Sequence, residues 1–403
     1  MKLPKTPVIL GFARTPIGKY AGILRDCRPD DLLSLVFKKA VQRAGVEIKD
    51  VEELSAGCVN QAGDDNRNVA RMAQLLAGFE VNASAVTINR LCASGLDAVA
   101  DAARKIALNE NQVMIAGGVE SMSRAPYVMA KASAAFKIGI PEIYDSSLGW
   151  RFFNEKMREI TPPESNGLTA ERLAQQYDIS RVRQDQFALW SHQKAIESQH
   201  SGFFKNEIVD VVIKNKKNES SIIDQDEGPR SDTSLDRLAQ LKAAFKEGGS
   251  VTAGNSSSLN DGAAALLISS IDYAKAHGLK PLARILGFQS CGVAPTTMGI
   301  GPVPATIKLL DRLGMKLSDF DAIEINEAFA AQVLSVVDLL KINEAKVNPH
   351  GGAIALGHPL GCSGARILIT LLNHLHKSKK KLGLATLCVG VGQGVSMAIE
   401  ALS

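Results

Sequence analysis

The sequence predicts an α/β protein of two alike halves, the first of them interrupted by an insertion. Three observations carry this. Apolar runs of strand length alternate with amphipathic runs of helical period along most of the chain. The pattern of an apolar strand followed by glycines, seen in the first half, returns in the second. Between about Ser123 and Gly249 the alternation stops, and the chain becomes polar, irregular and richer in charge. A length of 403 residues exceeds one ordinary core, so two or three domains are expected.

In chain order, TPVILGFART (6–15) is a buried strand. DDLLSLVFKKAVQRAG (30–45) is an amphipathic helix, with Asp30 as candidate N-cap and Gly45 as its stop. VEELSAGCV (51–59) holds a second strand and NVARMAQLLAG (68–78) a second helix. SAVTINRLC then leads into NRLCASGLDAVADAARKIA (89–107), where Leu96, Val99, Ala100, Ala103 and Ile106 recur at helical spacing. QVMIAGGVESMS (112–123) is a continuous apolar strand, the kind covered on both faces. Within the irregular stretch, TAERLAQQYD and SRVRQDQFALWSHQKAIES read as helices; a segment of this length is a functional insertion rather than a linker. SVTAGNSSSLNDGAAALLISS (250–270) returns to the earlier style. Later, DAIEINEAFAAQVLSVVDLL echoes EELSAGCVNQAG, and LGLATLCVGVGQGVSMAIE echoes QVMIAGGVESMS. The expected division is residues 1–122 with 250–274 as one half, 123–249 as the insertion, and 275–403 as the other half.

Hydrophobic content of 45% and a charged fraction of 22% belong to a globular protein. The net charge of +4 gives no field for nucleic acid, though a local basic patch could serve an anionic ligand. No apolar run reaches the length of a membrane span, so no membrane partner is expected. The six cysteines, Cys27, Cys58, Cys92, Cys291, Cys362 and Cys388, form no CxxC pair, so no metal is expected. Free thiols and a cytoplasmic setting are the simplest reading. The run KSKKK (377–381) is a solvated helix end.

Four stretches place reactive side chains beside glycine or other small residues. Cys92 stands at the mouth of a helix, where the dipole favours thiolate; alone, such a cysteine is more often a core residue. NEAFAAQ puts Asn326 and Glu327 at a strand-to-helix junction, where Asn326 could simply cap. NPHGGAIALGHPLGCSGAR carries His350 and His358, and LCVGVGQG carries Cys388 at a strand end. All four fall where strands end and helices begin, which is where α/β sheets place ligand sites. The set is chemically coherent. His358 could serve a Cys92 thiolate, and Cys388 could act as acid and base. Backbone N–H groups near Cys92 and Gly390 could hold an oxyanion. Two thiols and an imidazole point to acyl transfer through a thioester.

The stretches NRLCASGLDAV, MIAGGVESMS, TAGNSSSLNDGAAA, EINEAFAAQ, NPHGGAIALGHPLGCSGAR and CVGVGQG occur in this order. Together they resemble the thiolase family, over residues 6 to about 400. The resemblance implies two similar α/β halves in a five-layered αβαβα arrangement with an inserted loop domain, in a cytoplasmic homotetramer or homodimer. It implies that Cys92 accepts the acyl group, that His358 activates that thiol and helps hold the thioester oxygen, and that Cys388 is the acid/base. Asn326 would position a water in the first oxyanion hole, and the N–H groups of Cys92 and Gly390 would form the second. Ser257 and, by looser alignment, Arg230 would contact coenzyme A, which enters as a substrate beside a 3-oxoacyl-CoA. No permanently bound cofactor is implied.

NQAGDDNRNVARMAQLLAG (60–78) and IYDSSLGWRFFN (143–154) resemble the members that cleave 3-oxoadipyl-CoA to succinyl-CoA and acetyl-CoA. Arg67 or Arg151 is then the expected partner of the substrate's carboxylate. The alternative is a general acetyl-CoA acetyltransferase acting on acetoacetyl-CoA, and a remoter one a non-catalytic acyl carrier. A decarboxylating ketoacyl synthase of the same fold usually pairs its cysteine with two histidines, and here Cys388 and Asn326 stand in place of the second. Three positions depart from the family pattern. Asn166 falls near where many members carry a methionine lining the acyl pocket. Ser258 stands where glycine is common, and His350 where asparagine is frequent.

Overall fold

The computed structural model describes residues 4–136, 138–214 and 219–402. Its large sheet contains β1 (Pro7–Arg14), β2 (Glu53–Gly57), β3 (Ser84–Ile88), β4 (Val113–Ser121) and β5 (Asn260–Ser270) from the first half. From the second half come β6 (Ala283–Gly292), β7 (Ala322–Ile325), β8 (Leu382–Val389) and β9 (Gln393–Ala401). The spatial order is β7-β8-β9-β6-β1-β5-β4-β2-β3, with the short Gly18–Lys19 strand on β5. The halves join edge to edge at β1 and β6, through the pairs Val8–Arg284 and Ile9–Ala283.

The echo in the sequence is an echo in the ladders. In the first half β2 runs parallel to β3 and β4, β4 antiparallel to β5, and β5 antiparallel to β1. In the second half β7 runs parallel to β8, β8 antiparallel to β9, and β9 antiparallel to β6. A single parallel bridge from Val347 to Ile323 stands where β3 would be.

The main helices are α1 (Pro29–Ala44), α2 (Val69–Leu76), α3 (Ser94–Leu108), α4 (Asn166–Gln176), α5 (Arg181–His200), α6 (Pro302–Leu313), α7 (Ala330–Leu340) and α8 (Leu360–Lys377). α1 packs on β1 and β5, with α2 against it, on one outer face. α6 packs on β6 and β9, and α7 shares a core with β7 and β8, on the other. Between the halves lie α3 and α8, in contact with each other. α3 covers β2 and β4, while α8 touches strands of both halves. Helix, sheet, helix, sheet, helix make five layers, and every residue of β4 and β5 is buried. That double covering is why these strands read as unbroken apolar runs.

α1 begins two residues earlier than an Asp30 cap would place it. Pro29 pre-sets the first helical residue, so Arg28 holds the N-cap position and Asp30 lies inside the first turn. There the Asp30 carboxylate accepts from Arg28 Nε at 3.0 Å and Nη2 at 2.8 Å. Gly45 ends the helix at φ +68°, as expected.

The central helices approach the strands more closely than any side chain would allow. A Cβ on Gly361 would lie 2.6 Å from the Val119 carbonyl oxygen, and one on Gly118 only 2.0 Å from the Gly361 oxygen. A Cβ on Gly95 would also meet the Gly361 oxygen, at 2.6 Å. Glycine at these positions brings the starts of α3 and α8 into backbone contact.

The chain between β4 and β5 is tied to this frame by a buried charge cluster. Arg14, fully buried at the end of β1, donates from Nε to Glu207 at 2.7 Å and bidentately to Asp226 at 2.7 and 2.9 Å. Glu207 also accepts from Thr370 and Asn373 of α8.

Candidate active site

Cys92 and His358 occupy the same place relative to the two central helices, each two residues ahead of the first helical residue. Cys92 lies just outside its helix, before the N-cap Ala93, on a turn that puts Leu91 at φ +46°. Ser94 holds that turn: its Oγ accepts from the Arg90 N–H at 2.9 Å and donates to the Leu91 oxygen at 2.6 Å. A non-glycine residue in the left-handed region stores strain, and here it directly precedes the candidate nucleophile.

The Cys92 sulfur is buried. Burial pushes its thiol up to about 11, and the backbone N–H groups of Gly390 and of Cys92 itself pull against that. The sequence expectation of a resting thiolate therefore gives way to a neutral thiol, because removal of water outweighs the two N–H donors. His358 is neutral as well, with burial first and Arg366 second holding it down to about 3.

The tautomer of His358 follows from its neighbours. Ser363 Oγ donates to the Pro359 oxygen at 3.0 Å, so at 2.6 Å from His358 Nδ1 it accepts the Nδ1 proton. Nε2 is left with a lone pair, and Asn326 Nδ2 lies 3.3 Å from it. The His358 backbone N–H is fixed by Asn260 Oδ1 at 2.8 Å.

Asn326 follows β7 directly, and its N–H donates to the Thr386 oxygen at 3.0 Å. Its Oδ1 is buried without a hydrogen-bond partner, so the amide keeps an unused acceptor beside His358. Cys388 is the penultimate residue of β8 and is buried; burial, then the nearby Cys92, raises its pKa far above that of an ordinary thiol. Gly390 follows, on a turn with Val391 at φ +63° and Gly392 at φ +84°. The structure thus brings Cys92 to Gly390 and Cys388, and Asn326 to His358, beside helix starts that meet through Gly95 and Gly361.

Other residues singled out in the sequence lie around this centre or apart from it. Ser257 is tied to the loop after Asn326, its N–H and Oγ both donating to the Ala328 oxygen, at 3.0 and 3.1 Å. Arg230 is exposed, and its guanidinium lies 3.2 Å from Nε2 of buried His192. Arg67 is exposed at φ +54° and has no side-chain hydrogen bond or ion pair among the described residues. Arg151 donates to the Ser146 oxygen at 2.9 Å. No hydrogen bond or ion pair among the described residues joins either arginine to the five central residues. His350 is structural: it stacks on Phe203 at 3.4 Å and hydrogen-bonds Ser198 and His374.

Two carboxylates build the site from behind. Glu327 accepts from Ser191 Oγ, Asn348 Nδ2 and the Ile354 N–H, which shapes the loop leading to His358. Glu120, which the sequence reading passed over, accepts from the N–H groups of Val59, Asn60 and Gly361 at 3.0, 3.1 and 2.9 Å. It fastens the start of α8 to β4, and burial pushes its carboxyl up to about 7. A lone acid in an otherwise apolar, fully covered strand was the available signal for it. Glu120 also forms, with Cys58 and Asp65, a buried group whose ligand atoms all lie within 4.8 Å of one another, close enough to hold a cation.

Family models described as "Thiolase, N-terminal domain" and "Thiolase, C-terminal domain" match residues 7–272 and 279–401. A relative from Pseudomonas knackmussii named beta-ketoadipyl-CoA thiolase is 53% identical over 395 residues, covering 97% of this chain and 98% of that one. A relative from Escherichia coli named 3-oxoadipyl-CoA/3-oxo-5,6-dehydrosuberyl-CoA thiolase is 50% identical over 390 residues, covering 96% and 97%. Among solved structures, the Bacillus anthracis acetyl-CoA acetyltransferase matches with a TM-score of 0.94, 42% identity and full coverage of both chains.

Proposed function

This chain belongs to the thiolase family, and from that premise we propose that it cleaves 3-oxoadipyl-CoA with coenzyme A, giving succinyl-CoA and acetyl-CoA. The observation that carries the chemistry is a pair of buried neighbouring thiols, Cys92 at the start of one central helix and Cys388 at the end of β8, with a neutral imidazole at the start of the other central helix. The substrate rests on the two relatives named for 3-oxoadipyl-CoA or its synonym.

The thiol of Cys92 passes its proton to His358 Nε2, the nitrogen left open by Ser363, as its sulfur attacks the 3-keto carbon. The imidazolium so formed and the Asn326 side face the developing oxyanion. The C2–C3 bond breaks, and the Cys388 thiol protonates the acetyl-CoA carbanion. Coenzyme A then returns a proton to the Cys388 thiolate and attacks succinyl-Cys92, whose oxygen lies at the N–H groups of Cys92 and Gly390. The proton held by His358 goes back to the Cys92 sulfur as the product leaves. No proton is gained or lost over the cycle. A burial that keeps both thiols protonated at rest suits this order of events, since each is needed first as a proton donor. Ser257 and Arg230 serve coenzyme A, which is a substrate and not a resident cofactor.

No helix among the described residues is long and apolar enough to cross a membrane. All six cysteines are free, which suits a cytoplasmic enzyme. Met72, Leu75 and Leu76 on α2 and Val86 on β3, the edge strand of the large sheet, are exposed. An uncovered apolar edge supports assembly into a homodimer or homotetramer.

Steady-state thiolysis tests the reading. We expect kcat/KM for 3-oxoadipyl-CoA to exceed that for acetoacetyl-CoA by about tenfold or more, and Cys92→Ser to abolish both. A preference for acetoacetyl-CoA would support the second reading, a general acetyltransferase, which the likeness to the Bacillus anthracis structure favours.

A further inference from the structure

The two N–H groups assigned to the acyl oxygen come from different halves of the molecule. That of Cys92 belongs to the turn between β3 and α3, and that of Gly390 to the hairpin joining β8 to β9, which the Val389–Gln393 pair closes. Such a pair of donors stabilises charge only where it is pre-set, which requires the two turns to keep their spacing to within about 0.5 Å.

Three consecutive residues of the first turn reach the hairpin. Leu91 Cδ1 lies 3.3 Å from the Cβ position of Gly390. The Cys92 sulfur meets the Gly390 N–H. Arg90 reaches farthest: its Nη1 donates to Gln393 Oε1 at 2.9 Å, while its Nε donates to Asp97 Oδ2 at 2.6 Å. Asp97 stands in the first turn of α3. The half-buried guanidinium therefore bridges the helix start behind the nucleophile and the base of the hairpin, across 303 positions of sequence.

Both ends of the bridge are fixed in turn. The other oxygen of Asp97 has Arg104 at 4.0 Å, and Arg104 lies over the Phe288 ring. Gln393 pairs with Val389 on one side and Gly292 on the other. The backbone of Gly301 is pressed against it, since a Cβ there would lie 2.1 Å from the Gln393 oxygen. A guanidinium presents its N–H groups in a rigid planar fork, so the place of one partner sets the place of the other. The reaction gives Arg90 no proton to carry and no bond to make.

We propose that Arg90 is a positioning residue for the second oxyanion hole: by tying α3 to the Gly390 hairpin, it sets the spacing of the Cys92 and Gly390 N–H groups around the oxygen of the acyl group on Cys92. This rests on the thiolytic reading above. The test reads that oxygen directly. Wild-type enzyme, Arg90→Ala and Gln393→Ala are each acylated with acetyl-CoA isotope-labelled at the carbonyl carbon, and the thioester stretch on Cys92 is recorded by difference infrared spectroscopy. In the wild type the band is expected below that of free acetyl-CoA, as two N–H donors weaken the bond. In both variants it should move back towards the free value, with kcat for thiolysis lowered about tenfold to a hundredfold and KM little changed. Gln393→Ala removes only the amide, so it carries the same prediction should Arg90→Ala fail to fold. A band that stays at the wild-type position in the folded variants overturns the role of Arg90 whatever kcat does, because lost stability alone does not move it, and it leaves the thiolytic reading intact. A wild type that neither takes the acyl group nor turns over a 3-oxoacyl-CoA overturns both.

Discussion

The reactive sulfur is governed by two opposing effects, and their balance sets how it will be detected. Removal of water raises the Cys92 thiol to about 11, against the pull of two backbone N–H groups. Below that value the thiolate fraction rises about tenfold per pH unit. Alkylation of the free enzyme by iodoacetamide, followed by loss of activity, should therefore keep accelerating from neutral pH into the alkaline range. A rate already level near neutral pH would show a stabilised thiolate and return the dipole argument to first place. The residue types at the centre were legible in the sequence, because each stood beside glycine or another small residue at a strand end or a helix start. The protonation states were not. They depend on burial by segments far along the chain, and on Ser363, whose hydroxyl decides which nitrogen of His358 is free.

At the scale of elements, the site exists because α3 and α8 begin against each other and against β4. The strands and helices were readable from period and composition, and so was their recurrence. The closeness of the central helices was not, since a glycine in sequence does not say what it touches. Replacing Gly361 by alanine should force α8 away from the Val119 oxygen 2.6 Å from the new Cβ, and His358 with it. We expect a loss of about 1–3 kcal/mol in stability, with a fall in kcat of at least about a hundredfold, since misplacement by an ångström costs that much. Chemical denaturation and steady-state thiolysis would measure the two separately. A variant with wild-type kcat would mean that the contact serves stability alone. The start of α1 teaches the same lesson on a smaller scale: Asp30 was in view, but Pro29 moved the cap to Arg28.

For the whole molecule, the insertion and the sheet are bound by charges that are distant in sequence, with Arg14 and Asp226 separated by 212 positions. No local pattern could reveal that pairing. Asp226→Ala would leave the buried guanidinium half satisfied, and a loss of about 3–5 kcal/mol is expected. Calorimetry should show one transition at lower temperature if the insertion and the sheet unfold together, and two if they do not. The repeated ladders carry a different consequence, one that concerns descent. Cys92 and His358 hold equivalent positions in the two halves, as do Cys58 and Asn326 directly after β2 and β7, and Glu120 and Cys388 at the ends of β4 and β8. Two identical half-chains meeting as these halves do would offer two cysteines or two histidines at the helix starts, never one of each. Within one continuous polypeptide the paired positions can diverge independently. The joining of two alike halves in one chain thus lets the nucleophile and its base differ at equivalent positions.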